Sequence, residues 1–298
     1  MSEEVKASVE QAEAPPRVNE LRRFFKVFLS RPVVILGVFI IFVLLVCAAF
    51  PGQIAPYDPN EHNLKKTLLA PTGEHLLGTD VLGRDLLSRI IFGARTAIII
   101  GLFALGIASV LGMILGLTAG YFGGLTYAVI MRFIDALMVF PPILLALIIA
   151  GMLGGGMLII IIALGISLMP GYARVMCGQT LSIRENDYVL ATRSAGASNL
   201  RIMFRHIFPN AFPPMIVLMT LMIGMTILAE AGLSFLGIGI TEPTVAWGTL
   251  VNDGYKYLLQ RPVLSIAPGV AIMLVVYAFN MVGDGLRDAI DPRLRGTF

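Results

Sequence analysis

Charge is scarce in this chain. Only 14% of its 298 residues are Asp, Glu, Lys or Arg, whereas soluble domains carry about a quarter. A globular core does not account for so large a shortfall. Lysine is rarer still: the five lysines are Lys6, Lys26, Lys65, Lys66 and Lys256. None stands in the Gly-x-x-x-x-Gly-Lys-Ser/Thr setting that cradles nucleotide phosphates, so no such site lies on this chain. The three histidines, His62, His75 and His206, are dispersed, with no Ser-His-Asp or Cys-His grouping. An enzyme is therefore not expected, and no cofactor is expected on the chain. The two cysteines, Cys47 and Cys177, are too few for a disulfide framework and read as small apolar packing residues. The net charge of +3 is not gathered into one patch, which argues against nucleic acid as a partner.

What the chain does have is hydrophobic residues, 57% of the total, gathered into long runs. Runs of about 18 or more read as bilayer-spanning helices. Six are expected, near 33–50, 97–119, 127–150, 157–176, 213–236 and 263–282, giving an all-α integral membrane protein in contact with lipid. The leader before the first run is long for a signal peptide, so an uncleaved span is expected there. The corresponding organisation is a polar tail (1–31), a first span (32–50), an outer segment (51–96), a five-helix core (97–287) with a polar loop at 178–212, and a short tail (288–298). From Asp85 onward the outer segment becomes helix-like and runs into the second span.

Six spans place both termini on one side. Of the 22 lysines and arginines, 15 fall on that side, counting Arg132 and Arg174 at span ends, and 7 on the other. The positive-inside rule then puts the tails and the 178–212 loop in the cytoplasm.

Several residues stand out. Gly112, Gly116 and Gly120 recur every four residues, a spacing that lets another helix approach closely. Ionisable residues inside spans are costly and attract functional readings. Arg132 and Asp135 are three apart and are expected to pair on one helix. Glu230 is a candidate for the substrate path. Trp247 and Asp253 fall in an outer loop. In the cytoplasmic loop, Ser198 can cap a helix in which Leu200, Met203, Phe204, Ile207 and Phe208 recur at helical spacing. A short helical piece over 186–194 precedes it, Gly196 permits a sharp turn between the two, and Pro209 is expected to end the second piece ahead of the span. Such a pair of short helices either closes the loop at the bilayer surface or docks into a groove on a soluble partner.

The stretch from Tyr188 to Gly196 and on through Pro209-Asn210 resembles the coupling-loop signature of ATP-binding-cassette importer permeases, keeping Ala191, Gly196 and Pro209 in place. Leu190, Thr192, His206 and Phe208 depart from that pattern. Three further groups resemble the dipeptide, oligopeptide, glutathione and nickel branch of the family. They are His75 to Arg89 with Gly78-Thr79-Asp80 and Gly83-Arg84-Asp85; Ala119 to Gly124 with Leu233 to Gly237; and Asn280 to Asp288. Their order matches the second of that branch's two permease subunits, over about residues 20–296. Trp247-Gly248 also fits, although Ala246 stands where the family usually has an acidic residue.

The resemblance implies the type I importer permease fold in a bacterial inner membrane. It implies a homologous second permease, two ATPase subunits that bind ATP and Mg2+, and an external solute-binding protein. It assigns ATPase coupling to Tyr188, Ala191, Arg193, Gly196, Arg201 and Pro209. ATP closure of the partner dimer would move the 186–208 loop and tilt the attached spans. The solute is expected to be a di- or oligopeptide or a similar small molecule, with glutathione and nickel as alternatives within the branch. An ATP-independent secondary transporter is the alternative of a different class.

Overall fold

The computed structural model describes residues 24–290 apart from Lys26; the expected tails over 1–23 and 291–298 lie outside the described residues. Among those described, the architecture is helical, with one isolated β-bridge between Thr79 and Asp85. Helix α1 (Pro32–Ala49) begins with Pro32, whose missing N–H costs nothing in a first turn. The segment after α1 then leads to α2 (Leu86–Phe122), capped by Asp85, whose side chain accepts from the Ser88 N–H. At about 1.5 Å per residue, 37 residues reach roughly 55 Å, well beyond a hydrocarbon layer of about 30 Å.

Gly123 breaks that helix, and α3 (Gly124–Met138) and α4 (Pro142–Leu153) follow. A single third span over 127–150 was expected. Instead the two helices meet at 85°. Pro141 and Pro142 have no N–H to offer the carbonyls of Leu137 and Met138, and Pro141 is extended, at ψ 134°, ahead of Pro142. The chain continues through α5 (Met157–Arg184), α6 (Asp187–Ser194), α7 (Phe208–Phe235), α8 (Trp247–Tyr255) and α9 (Val263–Ile290). Five helical stretches are long and apolar enough to span, or six if the bent α3–α4 pair is one.

Pro209 does not end the second loop helix, contrary to expectation. Helix runs unbroken from Asn199 to Phe235, with a π turn over Ile202–Ile207. Pro209 cannot donate to the Arg205 carbonyl, and the wider turn absorbs that defect while the Asn210 side-chain amide donates to the His206 carbonyl at 2.6 Å.

Helices α2 and α5 form the central pair. Gly112, Gly116 and Gly120 of α2 lie against Tyr172–Ala173, Ala173–Cys177 and Thr180 of α5, with no room for a side chain between. Helix α7 packs on α9, and α1 lies against α9 and α2. Small residues thus line the α2–α5 contact, while larger apolar side chains such as Ile100, Leu164, Met176 and Leu233 fill separate clusters around it.

Candidate functional site

At one end of the central pair, the loop after α5 folds as a compact hairpin. Helix α6 closes in the left-handed turn that the sequence led us to expect at Gly196, φ +80°. The Gly196 N–H donates to the Arg193 carbonyl at 3.0 Å and the Ala197 N–H to the Thr192 carbonyl at 3.3 Å, the paired bonds of a Schellman ending. Ser198 then caps the next helix by accepting from the Arg201 N–H at 3.4 Å. Val189, Ile202, Met203 and Ile207 turn inward onto Ile183, Met176 and Tyr121. Tyr188, Leu190, Leu200 and Phe204 remain exposed.

Of the residues assigned to coupling, Tyr188, Ala191, Arg193, Gly196 and Arg201 lie on this hairpin and Pro209 in the first turn of α7; all six are exposed. Two residues that tie it down, and a third at its base that joins α5 to α2, had no assigned role. The Tyr121 hydroxyl donates to Asn199 Oδ1 at 2.8 Å, and the Arg184 Nη1 donates to the Gly120 carbonyl at 2.9 Å. The Arg193 guanidinium sits 5.5 Å from the centre of the Tyr121 ring. Tyr121 lies within the family-like stretch Ala119 to Gly124, where no role falls to it. Its contact with Asn199 spans 78 residues, beyond the reach of local spacing.

A second constellation lies before α2. Asp80 accepts from the Leu82 and Arg84 backbone N–H groups, both at 2.9 Å. Its other oxygen accepts from Arg84 Nε at 2.7 Å and from Arg89 Nη1. Arg84 Nη1 continues to Glu242 Oε1 at 2.6 Å. Burial pushes the Asp80 carboxyl up, but hydrogen bonds from Arg84 and the charges of Arg89 and Arg84 outweigh it and hold the group below the usual carboxylate range. The hydrogen bond from Arg84 likewise lowers Glu242. Gly78 and Gly83 adopt φ of +81° and +73°, and a Cβ at either would collide with the carbonyl of Leu69 or Asn63. His75 is occupied by Asp85 at 3.0 Å, and no group of three metal-ligating side chains occurs among the described residues.

Other expectations meet different outcomes. Asp135 does not pair with Arg132 on its own helix; it accepts from Arg174 Nη2 of α5 at 2.6 Å. The two helices lie close enough for the interhelical bond, and the i,i+3 neighbour is left aside. Glu230 is buried and accepts from the Ser234 hydroxyl at 2.6 Å, one turn along α7. Trp247 is buried too, its indole N–H donating to the Ile90 carbonyl at 2.9 Å. Ala246 is fully packed beside it, where a carboxylate would have no water.

A bundle of helices long and apolar enough to span, with an exposed amphipathic hairpin at one end, marks a multi-pass membrane protein. The chain belongs to the family of binding-protein-dependent transport system inner membrane components, whose profile matches residues 108–296. The profile of the N-terminal transmembrane domain of oligopeptide transport permease C matches residues 20–71. A glutathione transport system permease protein of Pectobacterium atrosepticum is 38% identical over 92% of this chain and 91% of its own length. A di/tripeptide transport system permease protein of Pseudomonas aeruginosa is 39% identical over 94% of both chains. The fold is shared with an inward-facing methionine ABC transporter, with a TM-score of 0.53 and 20% identity over 69% of this chain and 96% of that one. This chain is thus a multi-pass inner-membrane permease subunit of an ATP-binding-cassette importer, a system that implies partner ATPases and a solute-binding protein.

Proposed function

We propose that this subunit forms half of a translocation path for di- or oligopeptides or glutathione. In this reading it pairs with a homologous second permease above two ATPase subunits that carry the ATP and Mg2+, and an external binding protein delivers the solute. The tails and the 178–212 loop face the cytoplasm, as the placement of basic residues favours. The observation that carries the coupling assignment is the two-sided character of the 186–208 hairpin. Its inner face is locked to α2 and α5 through Val189, Ile202 and the Tyr121–Asn199 bond. Its outer face presents Tyr188, Leu190, Leu200 and Phe204 together with Arg193, Arg201 and Arg205. A partner groove that grips the outer face moves the ends of α2, α5 and α7 together, because the inner face leaves no slack.

The relatives named for dipeptides and glutathione support the solute class. The deciding experiment is co-purification of a tagged version of this chain from mild detergent, followed by an ATPase assay. A second permease and two ATPases in the eluate, with hydrolysis stimulated by loaded binding protein, is the expected result. A solitary chain that moves solute in liposomes without ATP sinks the reading.

A further inference from the structure

Between α3 and α5 runs an open cavity of about 690 Å³, lined by Tyr127, Met131, Arg132, Asp135, Arg174 and Cys177 among others. Its size falls within the roughly 300–1,000 Å³ of small-molecule sites. Its chemistry is unusual for a place between two membrane helices. Asp135 and Arg174 bridge the groove at 2.6 Å, yet each side chain remains about half exposed, at 50% and 51%. Arg132 is exposed on the same wall and has no acidic partner among the described residues.

Arg174 lies ten residues before the Arg184 end of α5, roughly 15 Å at about 1.5 Å per residue. That places Arg174 at the end of the apolar run 157–176, where charged side chains face protein, water or the bilayer interface rather than lipid chains. Two arginines against one aspartate leave the groove one positive charge in excess. The bend between α3 and α4 supports the same reading, since broken helix at membrane depth is tolerated where it is packed in protein or lines a cavity. A second cavity of about 320 Å³ abuts that bend, with Met138, Phe140 and Tyr172 in its wall. The Tyr172 hydroxyl there is buried and has no hydrogen-bond partner among the described residues.

We propose that the α3–α5 groove is a transit site for solutes bearing a free carboxylate, with Arg132 as the cation that meets it and Asp135–Arg174 as the pair that keeps the remainder of the groove neutral. This rests on the importer reading and narrows it: the recognised feature is the carboxylate shared by dipeptides, oligopeptides and glutathione, not a particular side chain. A guanidinium offers a planar fork for a carboxylate, which lysine replaces only as a point charge. The rival occupant of the groove is the partner permease, with an acidic residue of its own against Arg132.

The test uses the assembled transporter in proteoliposomes with binding protein and ATP, given radiolabelled alanyl-alanine and, separately, radiolabelled glutathione. Uptake of either, or of radiolabelled tetra-alanine as the oligopeptide, by the unaltered transporter checks the importer reading by itself; absence of all three sinks that reading irrespective of Arg132. Where uptake occurs, Arg132→Gln is expected to slow it about 10-fold and Arg132→Lys about 3-fold, the scale of one charge-assisted hydrogen bond, with all partners still co-purifying. Arg132→Cys, in a chain whose Cys47 and Cys177 are replaced by alanine, is expected to react in the assembled complex with a water-soluble, membrane-impermeant thiol reagent. Unchanged uptake by Arg132→Gln overturns the proposal. So does failure of Arg132→Cys to react, or loss of the second permease from the Gln and Lys variants, which would make the groove a subunit interface.

Discussion

Arg84 reaches Glu242 across 158 residues of chain, its Nη1 lying 2.6 Å from Glu242 Oε1. The contact joins the turn that starts α2 to the loop between α7 and α8. With Asp80 and Arg89 it makes a neutral cluster of two guanidiniums and two carboxylates, of which only Glu242 is substantially exposed. The start of α2 and the α7–α8 loop are thereby joined by charge as well as by the apolar packing of Val245 and Trp247 with Ala94 and Ala97, and the members of the cluster are not equivalent.

Asp80 is the member whose loss is expected to matter most. Asp80→Asn leaves two buried guanidiniums sharing one half-exposed carboxylate, and removing one side of a buried pair costs about 3–5 kcal/mol. Glu242→Gln, at a largely solvated position, is expected to cost about 1 kcal/mol or less. Thermal unfolding of the purified complex in detergent, followed by loss of its monodisperse peak, ranks the two; equal losses would contradict the cluster's asymmetry.

The same aspartate sets a pH dependence. Because the folded-state pKa of Asp80 lies below its unfolded value, its contribution is complete above the ordinary carboxylate pKa of about 3.9 and is lost as pH falls through the lower folded value. The stability gap between the unaltered protein and Asp80→Asn is therefore expected to stay constant from about pH 7 to 5. It should close only below about pH 4. A gap that closes already near neutrality would mean that Asp80 is not the ionised centre of the cluster.

Along α2, two glycines provide a matched pair. A Cβ at Gly112 would meet Tyr172 Cβ at 2.6 Å and the Met169 carbonyl at 2.7 Å, whereas one at Gly106 meets nothing within 4 Å. Gly112→Ala is expected to destabilise by about 1–3 kcal/mol through overpacking against α5. Gly106→Ala should be neutral or stabilising by up to about 1 kcal/mol, since it relieves the helix penalty of glycine. Parallel thermal scans of the two variants decide it.

How much of this was legible beforehand depended on sequence distance. The Gly112–Gly116–Gly120 face, the Asp85 start of α2, the Ser198 cap and the turn at Gly196 all act within a helical turn or two, where spacing carries the information. The Asp135–Arg174 and Arg84–Glu242 pairs depend on which helices lie side by side, and spacing along one helix favoured the wrong partner for Asp135. The α3–α4 bend was written in Pro141-Pro142, but the unbroken apolar run around them masked it. Pro209 misled in the opposite sense, because a π turn lets helix pass through it.

Gly196 should be sensitive to backbone conformation and indifferent to volume. Its φ of +80° disfavours L-residues, while nothing lies within 4 Å of where a side chain would begin. Gly196→Val is expected to cost about 1–2 kcal/mol locally and to raise the ATP consumed per solute moved, while Gly196→Asn, a residue tolerant of that region, stays near the unaltered ratio. Equal ratios for Val and Asn would remove the turn from the coupling argument.

The hairpin's two faces can be separated by adjacent substitutions. Phe204 is 57% exposed, with only the Phe208 ring near its own at 6.4 Å, whereas Ile207 is completely buried against Tyr121, Met176 and Ile202. On the proposed docking, a charge at Phe204 meets water in the isolated chain and a dry groove in the complex. Phe204→Glu is therefore expected to leave thermal stability within about 0.5 kcal/mol and to weaken recovery of the ATPases about 10-fold or more. Ile207→Glu buries an unpaired carboxylate and should lower stability by several kcal/mol, to roughly the limit of folding. If Phe204→Glu retained its ATPases in full, the outer face would be a lid on the bilayer surface, and coupling would have to pass through the helix ends themselves.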